Sequence, residues 1–270
     1  MAGLRAIDHI VLAVRALDQA AARYAALGFT LTPRASHPDH MGTANRLAQF
    51  ADRSFIEMLE VDRPQSMAPH DAEAVPPFFG FGAHNKEFLA RREGMSMLVF
   101  TGQDQAADVA GFSAAGLGGY APFDFGRKAV LPNGSEVEVA FSLAFATLPG
   151  APGPAFFTCH NRFPENFWKP GFQRHANGAS GIAAAYLALA EPAPHRAHLQ
   201  ALTGAEAERV EGGLALRLAN DQVLYALTPD AIAAASGFPV SEAPGLTGIA
   251  LKGPNRERIG PRDAFGMFII

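Results

Sequence analysis

Ile7-Asp8-His9-Ile10-Val11-Leu12-Ala13-Val14 is followed by Leu17-Asp18-Gln19-Ala20-Ala21-Ala22-Arg23-Tyr24-Ala25-Ala26-Leu27 and then by Gly28. The first run is rich in β-branched residues and bounded by charge, and it reads as a strand. The second places Leu17, Ala20, Ala21, Tyr24 and Leu27 on one helical face. Asp18 suits its first turn, and Gly28 supplies the left-handed stop. Strands are expected next at 29–32, 44–50 and 55–61. The order is therefore strand, helix and three strands.

That order recurs. A strand over 95–101 leads into a helix over 104–115, and Gly116 falls 88 residues after Gly28. Strands follow at 120–125, 135–145 and 156–160, with Asn133-Gly134 after Pro132 as a hairpin signal. A third pass opens at Gly181-Ile182-Ala183-Ala184-Ala185-Tyr186-Leu187, and its helix stops at Gly204, a further 88 residues on. Its last strands are 213–218 and 222–227. A fourth unit is reduced to outer strands at 246–252 and 265–270, with almost no room for a helix between them. The fold class is α+β, built of tandem βαβββ units. Residues 1–170 would form a first domain of two units, and residues 171–270 a second domain of one full and one shortened unit.

Composition narrows the function. The 22 basic and 26 acidic residues give a formal charge of −4, and no Lys/Arg stripe marks a nucleic-acid surface. No apolar run approaches the roughly 18 residues of a membrane span. The N-terminus lacks a secretory signal, and one cysteine, Cys159, cannot form an internal disulfide. The expected location is the cytoplasm. There is no phosphate-binding glycine loop, no dinucleotide fingerprint, no nucleophile elbow and no CxxC pair, so no nucleotide cofactor is expected.

Asp8 to Val14 at the start, Phe55-Ile56-Glu57-Met58-Leu59-Glu60 at the close of the first unit, and Gly42-Thr43-Ala44-Asn45-Arg46-Leu47-Ala48-Gln49-Phe50 between them resemble the glyoxalase-like branch of the vicinal oxygen chelate superfamily. So does Cys159-His160-Asn161-Arg162-Phe163-Pro164-Glu165-Asn166-Phe167-Trp168, running on to His175-Ala176-Asn177-Gly178-Ala179. The resemblance covers about 5–165 most closely. It implies paired units curled into a half-barrel around a small-molecule cavity. In metal-dependent members the ligands stand on the first and last strands of each unit, which points to His9 and Glu57. Such a donor pair suits Zn, Fe, Mn or Ni as a divalent ion.

The second unit departs from this pattern. Eighty-eight residues after His9 stands Met97, and Cys159 or Thr158 takes the place of the second carboxylate. His160 is a candidate third ligand, but if Cys159 points inward, a regular strand turns His160 outward. The third unit has Ala185 and Tyr225 near the ligand positions. Arg46 is the candidate clamp for an anionic substrate group, with Asn45 beside it and Glu57 as a proton carrier. Phe79, in a Pro/Phe-rich loop, and Trp168, in the connector between halves, are candidates to line the pocket. His37, His40, His70 and His84 read as surface residues of polar loops, and Glu60 as facing solvent. Two functions follow. One is a divalent-metal-dependent lyase, isomerase or dioxygenase; the other is a metal-free protein that binds or sequesters a small molecule. The expected partners are a small-molecule ligand and a second copy in a homodimer.

Overall fold

The computed structural model describes residues 3–130, 136–254 and 257–270. Its elements run β1 (Ile7–Ala13), α1 (Leu17–Ala26), β2 (Ala35–Ser36), β3 (Thr43–Gln49), β4 (Phe55–Val61), α2 (Phe81–Arg91), β5 (Gly94–Thr101), α3 (Gln105–Ala114), β6 (Phe123–Val130), β7 (Glu136–Thr147) and β8 (Ala155–Asn161). They continue with α4 (Pro164–Phe167), β9 (Gly181–Ala188), α5 (Arg196–Thr203), β10 (Ala207–Val210), β11 (Gly213–Arg217), β12 (Val223–Leu227), α6 (Pro229–Ser236), β13 (Gly245–Lys252) and β14 (Phe268–Ile269).

The strands form an eight-stranded sheet, β2-β3-β4-β1-β5-β8-β7-β6, and a six-stranded sheet, β10-β11-β12-β9-β13-β14. In the larger sheet β1 is parallel to β4 and antiparallel to β5, and β5 is parallel to β8. The smaller sheet repeats this: β9 is parallel to β12 and antiparallel to β13, and β13 is parallel to β14. β13 and β14 thus stand to each other as the first and last strands of the other units do. β1 is apolar almost throughout because it lies between two neighbours and is covered on both faces.

Several expectations shift. The strand expected at 29–32 is displaced to the two residues of β2, and α2 and α6 add helices to the expected order. The turn at Asn133-Gly134 lies outside the described residues, although β6 and β7 pair antiparallel on either side of it. Glu60 does not simply face solvent. Its Oε2 accepts a hydrogen bond from the Leu17 backbone N–H at 2.9 Å, and Oε1 lies 2.5 Å from Arg34. Ala16 at the N-cap of α1 offers no side-chain acceptor, so a carboxylate from the neighbouring strand satisfies that helix end. Gly28 holds φ +85°, and a Cβ there would meet the Asn177 backbone at 2.9 Å. That close approach lets Asn177 donate to the Leu27 carbonyl at 2.9 Å. The connector motif is therefore a strap: His175 also bonds the Gln49 carbonyl and the Thr30 N–H.

The convex faces of the two sheets, with α1, α3 and α5, share one apolar core. Arg5 staples it. Its backbone N–H donates to Thr203 O, its carbonyl accepts from Ala219 N, and its guanidinium reaches Leu202 O at 2.8 Å, Asp108 and the face of Phe112. Asp108 belongs to the first half of the chain, and the carbonyls of Leu202 and Thr203 to the second. Among the described residues no helix is long and apolar enough to cross a membrane.

Removing one partner of a buried ion pair strands the other charge, at a cost of about 3–5 kcal/mol. Asp108→Ala should lower stability by that order in urea denaturation monitored by circular dichroism. A loss below about 1 kcal/mol would show that Arg5 does not depend on this carboxylate.

Candidate functional site

The concave face of the larger sheet encloses a cavity of about 380 Å³. Strand alternation decides which residues reach it. From β3 come Asn45, Leu47 and Gln49, from β4 Phe55 and Glu57, and from β1 His9. From the other half come Phe157 and Cys159 on β8, Val139, Phe141 and Leu143 on β7, and Phe125 and Arg127 on β6. The two sheet edges nearly meet: His37, just past β2, packs edge-on against Phe125 of β6 at 5.5 Å. Phe81 of α2 and Phe167 of α4 add to the lining.

Among these walls lies a polar centre. Glu57 is 5% exposed. Its Oε1 accepts a 2.6 Å hydrogen bond from Asn45 Nδ2 and lies 3.6 Å from His37 Nε2. Its Oε2 lies 3.7 Å from His9 Nε2. The His9 ring stacks on Phe55 with centroids 4.2 Å apart, and its Nδ1 contacts Asp8 Oδ1 at 2.6 Å. Consecutive strand residues ordinarily point to opposite faces. A bulge between Ile7 and His9 against β5 makes Asp8 the extra residue and allows the contact.

His37 arrives by a different route. Ala35 pairs with Asn45 across the β2–β3 ladder, so His37, two residues on, keeps the inward parity. Pro38, the turn at Asp39–Met41 and Gly42 at φ +64° fold the chain back into β3. His37 Nδ1 meets Thr43 Oγ1 at 2.8 Å, and Nε2 lies 3.2 Å from Asn45 Nδ2. Burial pushes the His37 pKa below its usual value, opposed by Glu57 and reinforced by Arg127 and Arg63. The neutral ring then donates through Nδ1 to Thr43 and accepts at Nε2 from Asn45. Burial also raises the Cys159 thiol well above its ordinary range, with Asp8 and Glu57 adding to the effect; it is a neutral wall residue.

Of the residues singled out in the sequence, His9, Glu57 and Asn45 come together. Arg46, on the opposite parity, turns to the convex face, where it bonds the Thr32 carbonyl at 3.4 Å and Asp18 at 3.3 Å. It cannot clamp a ligand in the cavity. His160 also fails as a third ligand: β8 stays regular through Asn161, Cys159 faces the cavity, and His160 does not line it. Phe79 is buried behind the wall, stacked on Phe145 at 4.5 Å, and Phe81 takes the lining position instead. Trp168 packs on Phe55 and Phe167 from outside, leaving Phe167 at the surface of the cavity. His37 and His84 are not surface residues; burial lowers the His84 pKa to about 4.

The missing half of the expected ligand set is sharper in the structure. Val11 pairs with Glu57, and 88 residues on Val99 pairs with Phe157. The second carboxylate position is thus held by Phe157 rather than Cys159 or Thr158, and Met97 replaces the second histidine. By the same register Ala184, not Ala185, matches His9 in the smaller sheet. Among the described residues no group of three or more His, Cys, Asp or Glu side chains is placed to hold a metal ion. Asn45 Nδ2 instead bridges the two groups, 3.2 Å from His37 Nε2 and 2.6 Å from Glu57 Oε1.

The family model described as a glyoxalase-like domain matches residues 7–203. Among solved structures, a hypothetical protein from Staphylococcus aureus is similar at 12% identity over 97% of each chain, with a TM-score of 0.68. A triple mutant of 4-hydroxymandelate synthase from Streptomyces coelicolor is similar at 12% identity, over 93% of this chain and 71% of that one, with a TM-score of 0.50. At such identities the likeness is one of fold. Among curated proteins none matches the sequence.

Stability depends on pH through histidines that burial holds neutral, among them His84 and, at the site, His37. The folded pKa of His37 lies below the unfolded value of about 6.5, so the unfolded chain binds the proton more readily, and stability is lost as pH falls below about 6.5. Urea midpoints measured from pH 7 to pH 5 should fall for the wild type and fall less for His37→Gln. Parallel curves would mean that His37 is not held neutral.

Proposed function

Because the chain belongs to the glyoxalase-like domain family and has the vicinal oxygen chelate fold, we propose that it takes a small molecule with an apolar or aromatic body into the concave cavity and transfers a proton there without a divalent metal. The observation that carries this reading is Glu57. A buried carboxylate between two imidazole Nε2 atoms, at 3.7 and 3.6 Å, opens onto a cavity lined in part by Phe55, Phe125, Phe141, Phe157 and Phe167. Convergent titratable groups in an apolar pocket are the usual mark of a reactive site.

The roles follow from the contacts. Phe55, Phe125, Phe141, Phe157 and Phe167 hold the apolar body and exclude water. Asn45 keeps Glu57 Oε1 engaged, leaving Oε2 toward His9 and the ligand. Asp8 fixes the His9 ring through Nδ1, which aims Nε2 inward. Glu57 accepts a proton from a ligand carbon, and doubly protonated His9, its Nδ1–H held by Asp8, supplies its Nε2 proton to the adjacent oxygen, so the molecule gains as many protons as it loses. An isomerase or lyase uses this step.

Sequestration without chemistry is the second reading. It is favoured by the apolar side chains at Met97 and Phe157, which leave the site without the second pair of family ligands.

Deuterium exchange into the α-carbons of phenylacetone, followed by proton NMR in heavy water with a chelator present, separates the two. The proposal expects acceleration by the wild type and a loss of about a hundredfold or more in Glu57→Gln. Exchange that needs an added metal, or that survives Glu57→Gln, contradicts it. Binding of phenylacetone without exchange supports sequestration.

A further inference from the structure

Three cationic side chains line the cavity: Arg34, Arg127 and Lys128. Two are already neutralised. Arg34 lies 2.5 Å from Glu60 and 3.1 Å from Asp62, and Lys128 lies 2.8 Å from Glu136. Arg127 has no hydrogen bond, ion pair or ring contact among the described residues. It stands on β6 opposite Val139, one inward position beyond Phe125, whose partner on β7 is Phe141. All four side chains line the cavity. The guanidinium is exposed at the rim of the cavity, and its charge acts on His37 at the polar centre.

An unpaired guanidinium exposed at the rim of a phenylalanine-rich cavity is free to meet a ligand's counter-charge. Its planar fork of donors matches a carboxylate or another planar oxyanion. We infer that Arg127 recognises an anionic group of the ligand, and that the cavity selects small molecules combining an aromatic or aliphatic body with a carboxylate. The inference rests on the cavity reading above and narrows its substrate class. It also moves the anion clamp from Arg46, which lies on the convex face, to the far edge strand of the same sheet.

Trp168 is the chain's one tryptophan and packs on Phe55 and Phe167 of the cavity wall, at 5.9 and 4.9 Å. Its fluorescence therefore reports occupancy. The test titrates the wild type, Arg127→Gln and Arg46→Gln with 4-phenylbutyrate and with its uncharged analogue 4-phenylbutyramide, and calorimetry confirms the affinities. The wild type and Arg46→Gln should prefer the carboxylate about ten- to hundredfold, as expected for a charge-assisted pair. Arg127→Gln should lose that preference while keeping its affinity for the amide. A preference that persists in Arg127→Gln, or equal binding of both compounds by the wild type, overturns the role of Arg127 and leaves the cavity reading standing. Failure of the wild type to bind either compound overturns both.

Discussion

Glu57 is a carboxylate in the middle of an apolar strand, on the concave side of a curled sheet, and that burial governs the rest of the site. Taking such a group out of water is expensive unless hydrogen-bond donors replace the solvent. Here Asn45 supplies the close donor and two imidazoles flank the oxygens. Each flanking group needs its own support. Asp8 holds His9, Thr43 holds His37, and the β2–β3 ladder sets the register that brings Asn45 and His37 to the same side. A polar network half satisfied would be worse than none.

The curl of the sheet gives this network its surroundings. The edge at β2 and the edge at β6 approach until His37 touches Phe125, so polar and aromatic walls from opposite ends of the strand order share one space. The smaller sheet does not repeat the arrangement. Ala184 and Tyr225 occupy the positions of His9 and Glu57, and Tyr186 stacks on Tyr225 at 5.2 Å within an apolar cluster partly covered by α6. Its convex face completes the shared core, and Arg5 joins the two halves through backbone carbonyls of α5.

Much of the architecture is legible in the sequence, because helix-stopping glycines at equal spacing and strands of clear β-branched character follow from local rules. His9, Asn45 and Glu57 share a face by strand parity, which is also readable. His37 is harder. Its Pro/Asp/Gly neighbourhood is that of a loop, and its inward direction depends on a two-residue strand placed several positions later than periodicity suggests. Asp8 reaches His9 through a bulge, and no residue pattern announces one. Arg46 faces away from the cavity by parity alone, since a shift of one residue on β3 would turn it inward. Phe157 rather than Cys159 matches Glu57 because the β6–β7 hairpin is longer than the β2–β3 pair it corresponds to, which breaks the fixed offset.

The most direct measurement is a double-mutant cycle between Asn45 and Glu57, using Asn45→Ala, Glu57→Ala and the pair, by urea denaturation with a chelator present. A buried donor bonded to a carboxylate at 2.6 Å predicts a coupling of about 1.5–3 kcal/mol. Additive losses, with no coupling between the two positions, would contradict the account, because they would mean that Glu57 is not held inside the cavity by Asn45.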